Sequence, residues 1–233
     1  MATVRPFRAY RPRKDLTEKI AALPYDVYNR AEAKKIVKTN PLSFLGIDRA
    51  ETAFDDSVDT YADCVYEKAK ELLQQRIAAG EFVQDEMPCY YLYELTMDGR
   101  SQTGIVACAS VDDYLDHTIK KHENTRAEKE QDRICHVDVT DMQTGPIFLA
   151  YHANETLHRL IVTVKETPAE ADFVSEDGIR HRVWVIADTT QMQTVTESFA
   201  KIGAVYIADG HHRCASAVKV ALKRRSEHPS YDG

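Results

Sequence analysis

The sequence predicts an α+β (mixed α/β) protein in which a mixed sheet is flanked by helices, and three observations predict it. Helical signals cover residues 30–39 and 58–79, the second as apolar residues at three- and four-residue spacing. Runs of β-branched and aromatic residues, punctuated by Asp-Gly dipeptides, fill residues 89–186. A helix, a strand and a second helix close the chain over residues 190–225. Helical and strand patterns are thus largely segregated, with few crossover helices between strands.

In chain order, Arg5-Pro6-Phe7-Arg8-Ala9-Tyr10-Arg11-Pro12 is expected to be extended, since each proline drives its predecessor out of the helical region. Pro24-Tyr25-Asp26-Val27 reads as a turn or short strand, a role that uses an aspartate without any ligand. Asn29 can cap a helix over residues 30–39, which stops before Asn40-Pro41. The strongest helical pattern covers residues 58–79, where Val58, Tyr61, Ala62, Val65, Ala69, Leu72, Leu73 and Ile77 form one stripe. Asp55, Asp56 or Ser57 is its expected cap, and Gly80 its left-handed stop.

Residues 89–95 and 102–110 read as a hairpin turned by Asp98-Gly99. Further strands are expected over 146–151, 159–164, 171–174 and 181–186, with Asp177-Gly178 turning the last pair. A helix over 190–202, a strand over 204–208 and a helix over 214–225 follow. The chain divides on this reading into an extended and helical region (1–86), an α/β core (87–226) and a polar tail or cut linker (227–233).

Of the 233 residues, 37 are acidic and 30 basic, a net charge of −7. A general nucleic-acid binder needs a basic excess to displace counterions from phosphates, so this balance argues against one. The five cysteines are odd in number and contain no C-x-x-C pair, which excludes a disulfide framework or cysteine zinc site and fits a reducing compartment. No apolar signal core or ~20-residue apolar span is present, so a cytoplasmic protein without membrane contact is expected. A homodimer is compatible with the sequence.

Chemistry concentrates at Asp209-Gly210-His211-His212-Arg213, between a strand and a helix. Glycine permits close backbone approach, the helix start offers unpaired N–H groups and a positive dipole end, and Arg213 supplies a bidentate donor for phosphate oxygens. Asp209 is a candidate Mg²⁺ ligand, and His211 or His212 can move a proton or donate to a transferring phosphoryl group. A capped helix would explain the aspartate and the glycine, but not two histidines and an arginine in the same turn. The second candidate is His122-Glu123-Asn124-Thr125-Arg126. There His122 or Glu123 can serve as a base and Thr125 or Arg126 can bind an anion, while the charged residues beyond read as a solvated helix face. His181 and Trp184 read as packing. No G-x-S-x-G, Walker A, dinucleotide or protein-kinase signature is present.

Arg5-Pro6-Phe7, Pro24-Tyr25-Asp26-Val27, Asn40-Pro41, Asp113-Tyr114, Lys121-His122-Glu123-Asn124-Thr125, Asp132-Arg133, Pro146-Ile147-Phe148 and Ile207 to Arg213 occur in an order that resembles the DUF1015 family. That family usually has proline where Leu23 stands and often tyrosine where Cys214 stands. Its members continue beyond the final helix, so the chain resembles the family's N-terminal portion. The Asp-Gly-His-His-Arg turn is similar to that of the ParB/sulfiredoxin-like fold, which includes free-serine kinases and ParB nucleotide hydrolases. The resemblance implies such a core with an N-terminal helical extension. It also implies Asp209 for metal or substrate, Gly210 and Arg213 for phosphates, His211 and His212 for transition-state charge, and Glu123 as the base. His122, Thr125 and Arg126 are expected on the nucleotide. Sulfiredoxin chemistry needs a cysteine within the turn, and histidine stands there. The expected activity is a phosphotransferase using ATP or ADP with Mg²⁺ on a small hydroxyl compound such as free serine. The alternative is a nucleotide-binding regulatory module or slow nucleotide hydrolase.

Overall fold

The computed structural model describes residues 1–228 and 230 and has the α+β architecture that the sequence predicts. The described residues form two compact units, each assembled from three stretches of chain. One comprises Met1–Glu18, Phe82–Lys120 and Ala150–Tyr206; the other comprises Lys19–Glu81, Lys121–Leu149 and the chain from Ile207 on.

The first unit is built on the central hairpin. Tyr90–Met97 pairs antiparallel with Arg100–Val106, and Asp98 (φ 51°) and Gly99 (φ 78°) both adopt left-handed dihedrals. Two such residues make the tight turn whose twist matches the strands. Arg180–Ile186 pairs with the other edge of Tyr90–Met97, and Ala171–Val174 completes the sheet. Gly178 (φ 81°) turns the last two strands, as its Asp-Gly pair predicts. The pleat places Tyr90, Leu92 and Glu94 on one face, opposite Ile186, Trp184 and Arg182. The first two pairs are buried and apolar. The third is an ion pair: Glu94 is fully buried and accepts from Arg182, Lys165 and Thr103. The proline-rich opening is extended, with Val4–Arg5 paired to Cys108–Ala109 and Tyr10–Pro12 to Phe82–Gln84. Val205–Asp209 lies parallel to Ile119–Lys120 through Val205 and Tyr206.

One element differs in kind from its sequence pattern. Residues 159–164, with the β-branched run Ile161-Val162-Thr163, read as a strand but lie inside the helix Glu155–Lys165. Asn154 caps it by accepting from the Leu157 N–H, and Leu157, Leu160 and Val164 are buried at helical spacing. Burial of that face outweighs the local strand preference, while Val162 faces solvent.

In the second unit, Asn29 and Glu32 form a reciprocal capping box at the start of Arg30–Thr39. The long helix runs over Asp63–Ala78 and therefore begins later than its apolar stripe. The reason is local: the Asp55 and Asp59 carboxylates accept from the N–H groups of Ser57 and Tyr61, two residues on, and fold the preceding segment into turns. None of Asp55, Asp56 and Ser57 caps the helix; Ala62 does, without a side-chain bond. Val58 and Ala62 still pack on the cluster of Ala50, Val65 and Ala69. Gly80 (φ 69°) follows the helix in the expected left-handed conformation. Ala127–Thr140 packs along both Asp63–Ala78 and the terminal helix His211–Glu227. Apart from residues 227, 228 and 230, the tail expected over 227–233 lies outside the described residues. Among the described residues, no helix is long and apolar enough to cross a membrane.

Burial works to raise the Glu94 carboxyl, but hydrogen bonds from Lys165, Thr103 and Arg182 prevail and hold it below its ordinary value. A depressed carboxylate contributes stability above its unfolded pKa, about 4.3, and loses it as pH falls through the folded value. Glu94→Gln should cost about 3 kcal/mol at neutral pH, since Arg182 and Lys165 lose their counter-charge. Urea unfolding at pH 7 and pH 3.5 checks this: the wild type should lose stability on acidification and the variant much less of it.

Candidate functional site

Gly210 is the N-cap of His211–Glu227 and sits at φ 87°, ψ 33°, with no side chain capping the helix. The first helical bond runs from Cys214 N–H to the Gly210 carbonyl, so the three preceding N–H groups stand at the open end of the helix. A Cβ at Gly210 would lie 3.0 Å from Ile147 Cγ2 and 3.2 Å from Arg213 Nε. The glycine is therefore required twice, by its dihedral and by what crowds it.

Asp209, the residue a plain capped helix would use, does not cap. Its side chain is 71% exposed and accepts from Arg213 Nη2 at 2.6 Å. Arg213 also donates through Nη1 to the Pro146 carbonyl, and its stem passes against Gly145, where a Cβ would meet Arg213 Cδ at 3.1 Å. The guanidinium is thus held between the 145–146 loop and the strand end.

The two histidines occupy different surroundings. His211 is only 6% exposed; its ring stands edge-on to His122 at 4.5 Å, and its Nδ1 lies 3.7 Å from Glu123 Oε2. Its Nε2 is buried and has no hydrogen-bond partner among the described residues. Glu123 is largely exposed and also lies 3.9 Å from His122 Nε2, so one carboxylate sits between two imidazoles. His212 Nε2 accepts the Arg126 backbone N–H at 2.9 Å, which leaves Nδ1 to carry the proton of the neutral ring. The two sequence candidates, 122–126 and 209–213, are therefore brought together.

Two details of the 122–126 segment differ from the sequence reading. Arg126 meets the turn through its backbone, not its guanidinium. The Thr125 hydroxyl, expected on an anion, donates to Glu130, and Arg126 is the N-cap of the following helix. Glu130, expected on a solvated face, is buried and also paired with Lys219. Burial works to raise its pKa, yet the Lys219 and Thr125 hydrogen bonds hold it below its ordinary value. Fully buried Ser216 donates to the His212 carbonyl at 2.7 Å and to the Glu130 carbonyl at 3.1 Å.

Two adjoining clefts, with about 20 and 220 Å³ of cavity space, share Tyr25, Asp48, Arg133 and His136, and Arg213 lines the smaller one. Within residues 24–27, read from sequence as a structural turn, Tyr25–Val27 forms a short 3-10 helix that sets Tyr25 and Asp26 on the cleft wall. Arg133 lies over the Tyr25 ring, 4.0 Å from its centroid, and pairs with Asp132, which accepts from the Tyr66 hydroxyl at 3.0 Å. Burial, opposed by Arg133, raises the Tyr25 hydroxyl above its usual range. Asp132 and Arg133, expected from the sequence on a solvated helix face, line this wall instead, and nothing in the pattern around Asp48 pointed to it.

Among the described residues, no group of three His, Cys, Asp or Glu side chains is arranged to hold a metal ion. A zinc ion would need such a set. A Mg²⁺ that keeps its waters and phosphate oxygens needs only one or two carboxylates, and Asp209 fits that demand. Burial pushes the Cys214 thiol up to about 11, so it is a protonated core residue without thiolate reactivity.

A family model described as "Protein of unknown function (DUF1015)" matches residues 4–233. Among curated proteins and among solved structures, nothing matches the chain.

Gly210→Ala should destabilise the protein by about 1–2 kcal/mol, the cost of a Cβ at a left-handed position, and displace the Arg213 guanidinium. Thermal denaturation and the Arg213 side-chain NMR resonances check it. Unchanged stability and unchanged resonances would mean the turn tolerates a Cβ.

Proposed function

The chain belongs to the DUF1015 family, and from that premise we propose that it is a nucleotide-dependent phosphotransferase acting on a small hydroxyl compound, with free serine the first to test. The observation that carries the reading is the uncapped helix start at Gly210 with Arg213 and Glu123 directed to the same turn. The similarity of that turn to the one in the ParB/sulfiredoxin-like fold supports it. ATP or ADP, bound with Mg²⁺, supplies the phosphoryl group.

The residues divide the work. Gly210 lets phosphate oxygens approach the backbone, where the N–H groups of His211, His212 and Arg213 and the helix dipole favour negative charge. Arg213 exchanges the Asp209 carboxylate for phosphate oxygens, and Asp209 thereby becomes available to hold Mg²⁺. His211 and the Nδ1–H of His212 meet charge developing on the transferring group. Glu123 takes the proton of the acceptor hydroxyl, with His122 and His211 on either side. Thr125 and Arg126 shape the nucleotide edge, the former through Glu130 and the latter through its backbone. A cytoplasmic setting belongs to the same proposal, since nucleotide and Mg²⁺ are available there and the free cysteines stay reduced.

One observation favours a second reading, slow nucleotide hydrolysis in a regulatory module: the proposed base, Glu123, is 63% exposed and open to water. That reading expects phosphate release without a phosphorylated acceptor.

Calorimetric titration of ATP, ADP and CTP with Mg²⁺ should detect binding that weakens about 10- to 100-fold in Arg213→Ala, the loss expected for a charge-assisted hydrogen bond. Phosphorus NMR of mixtures with L-serine should show a phosphoester in the wild type and none in Asp209→Asn. Failure of every nucleotide to bind would remove the proposal.

A further inference from the structure

The larger cleft lies wholly within the second unit and offers about 220 Å³ of space. A cavity of about 150 Å³ already takes a benzene-sized molecule, so this cleft admits a compact organic ligand. Four carboxylates and three cations line it, and most of them are already committed to one another. Arg49 donates to Glu51 and to the carbonyls of Tyr25 and Tyr28, while Arg133 pairs with Asp132. Asp26 and Asp48 then face one further cation, Lys129, which is exposed. The charge left in the cleft is negative.

A second, independent observation points the same way. His136 is 3% exposed and lines the cleft beside Asp48, whose Oδ1 lies 3.9 Å from the ring Nε2. Nε2 also faces the Ile47 carbonyl at 3.4 Å; both neighbours accept, so the proton of the neutral ring sits on Nε2. Nδ1 is then a lone pair, buried and without a hydrogen-bond partner among the described residues. Burial and the charge of Arg133, against Asp48, hold the ring below its usual pKa, so the imidazole stays neutral. A buried acceptor without a donor is destabilising until a ligand supplies one. Lone pair and carboxylate together ask for a ligand that donates. The remaining wall favours an organic cation over a metal ion. Tyr28 and Tyr61 offer aromatic rings, Tyr61 being 58% exposed, and among the described residues no three ligating side chains converge.

We propose that this cleft binds a compact primary amine, its ammonium donating to the Asp48 carboxylate and to His136 Nδ1 and its apolar body lying against Tyr28 and Tyr61. Thr144 donates to Oδ1 of Asp48 at 2.8 Å, which directs the ammonium to Oδ2. Asp26 adds to the field that draws the cation in. The inference does not depend on the phosphotransferase reading, since none of these residues belongs to the Asp-Gly-His-His-Arg turn or to residues 122–126.

The test uses the whole chain and phenethylamine, without nucleotide. Phenethylamine should bind in ligand-observed NMR titrations at neutral pH, where its amine is protonated. Phenylethanol, which lacks the charge, and phenylacetate, which reverses it, should bind about tenfold or more weakly. In protein labelled with ¹⁵N-histidine, the His136 Nδ1 resonance should move on addition of phenethylamine. Asp48→Asn, which keeps an acceptor for Thr144 and removes the charge, should weaken phenethylamine about tenfold or more. If that variant does not fold, the wild-type Nδ1 resonance decides alone. No binding of phenethylamine, equal binding of phenylethanol, or binding that leaves the Nδ1 resonance in place would overturn the inference, as would full affinity in a folded Asp48→Asn. Mg-ADP titrated into the same wild-type samples separates the two proposals. Nucleotide binding without amine binding sinks only the cleft, and the reverse sinks only the phosphotransferase.

Discussion

The buried carboxylate of Glu130 is the constraint on which the candidate site depends. It sits on one helix, accepts from Thr125 in the segment before that helix, and pairs with Lys219 on the helix that begins at the glycine turn. Removing a carboxylate from water is costly unless its lone pairs are taken up, and two donors from two different segments take them up here. The 122–126 segment is thereby tied to the 209–213 turn by a requirement of burial rather than by any contact of the catalytic candidates themselves. Ser216 adds a second tie, bridging the Glu130 and His212 carbonyls from a fully buried position. The approach of Glu123 to His211 is a consequence of these two fastenings, since an exposed carboxylate and an imidazole at 3.7 Å would not order a loop alone.

Much of this was legible in the sequence, for identifiable reasons. The Asp98-Gly99 and Asp177-Gly178 turns, the Asn29 cap and the Gly80 stop each rest on a single residue type whose local chemistry is nearly context-free. The Asp-Gly-His-His-Arg turn was visible because its histidines and arginine exceed what capping needs. The helix at Glu155–Lys165 was misread because Ile161-Val162-Thr163 favours a strand locally, and only the buried partners of Leu157, Leu160 and Val164 reverse that preference. The start of Asp63–Ala78 was misplaced because Asp55 and Asp59 can cap a helix or close a turn equally well. Glu130 could not be distinguished from its charged neighbours, since its role depends on Lys219, far along the chain. The two units escape any linear division for a related reason: each is assembled from three separated segments.

Glu94 in the first unit and Glu130 in the second are both buried carboxylates with a cationic partner, but the two are solved differently. Glu94 follows two apolar pairs in its strand row, and its partners Arg182 and Thr103 come from the strands that flank it. The pleat thus fixes donors and acceptor in one register, and a register slip would expose the whole row. Glu130 has no such ladder; its donors come from a loop and from another helix. The first arrangement specifies a sheet, whereas the second specifies the relation between two segments that meet at the glycine turn because both must reach the same carboxylate.

The contacts of Arg213 follow the same logic at smaller energy. Its pair with Asp209 is exposed on the carboxylate side, and such pairs are worth about 1 kcal/mol or less in water. Its contact with the Pro146 carbonyl and the packing of its stem against Gly145 are made to the main chain of a loop, which has no rotamer to swing away. Asp209 is therefore the easier partner to give up, and a phosphate group offering bidentate acceptors in its place would leave the stem where it is. Exchange at the tip with a fixed stem means that an anion can be captured without rebuilding the loop. On the proposed reading, the same displacement would free the one carboxylate of the turn to hold a divalent cation. Glycine at 145 and at 210 makes this possible, since a Cβ at either position would press on the arginine that has to stay in place.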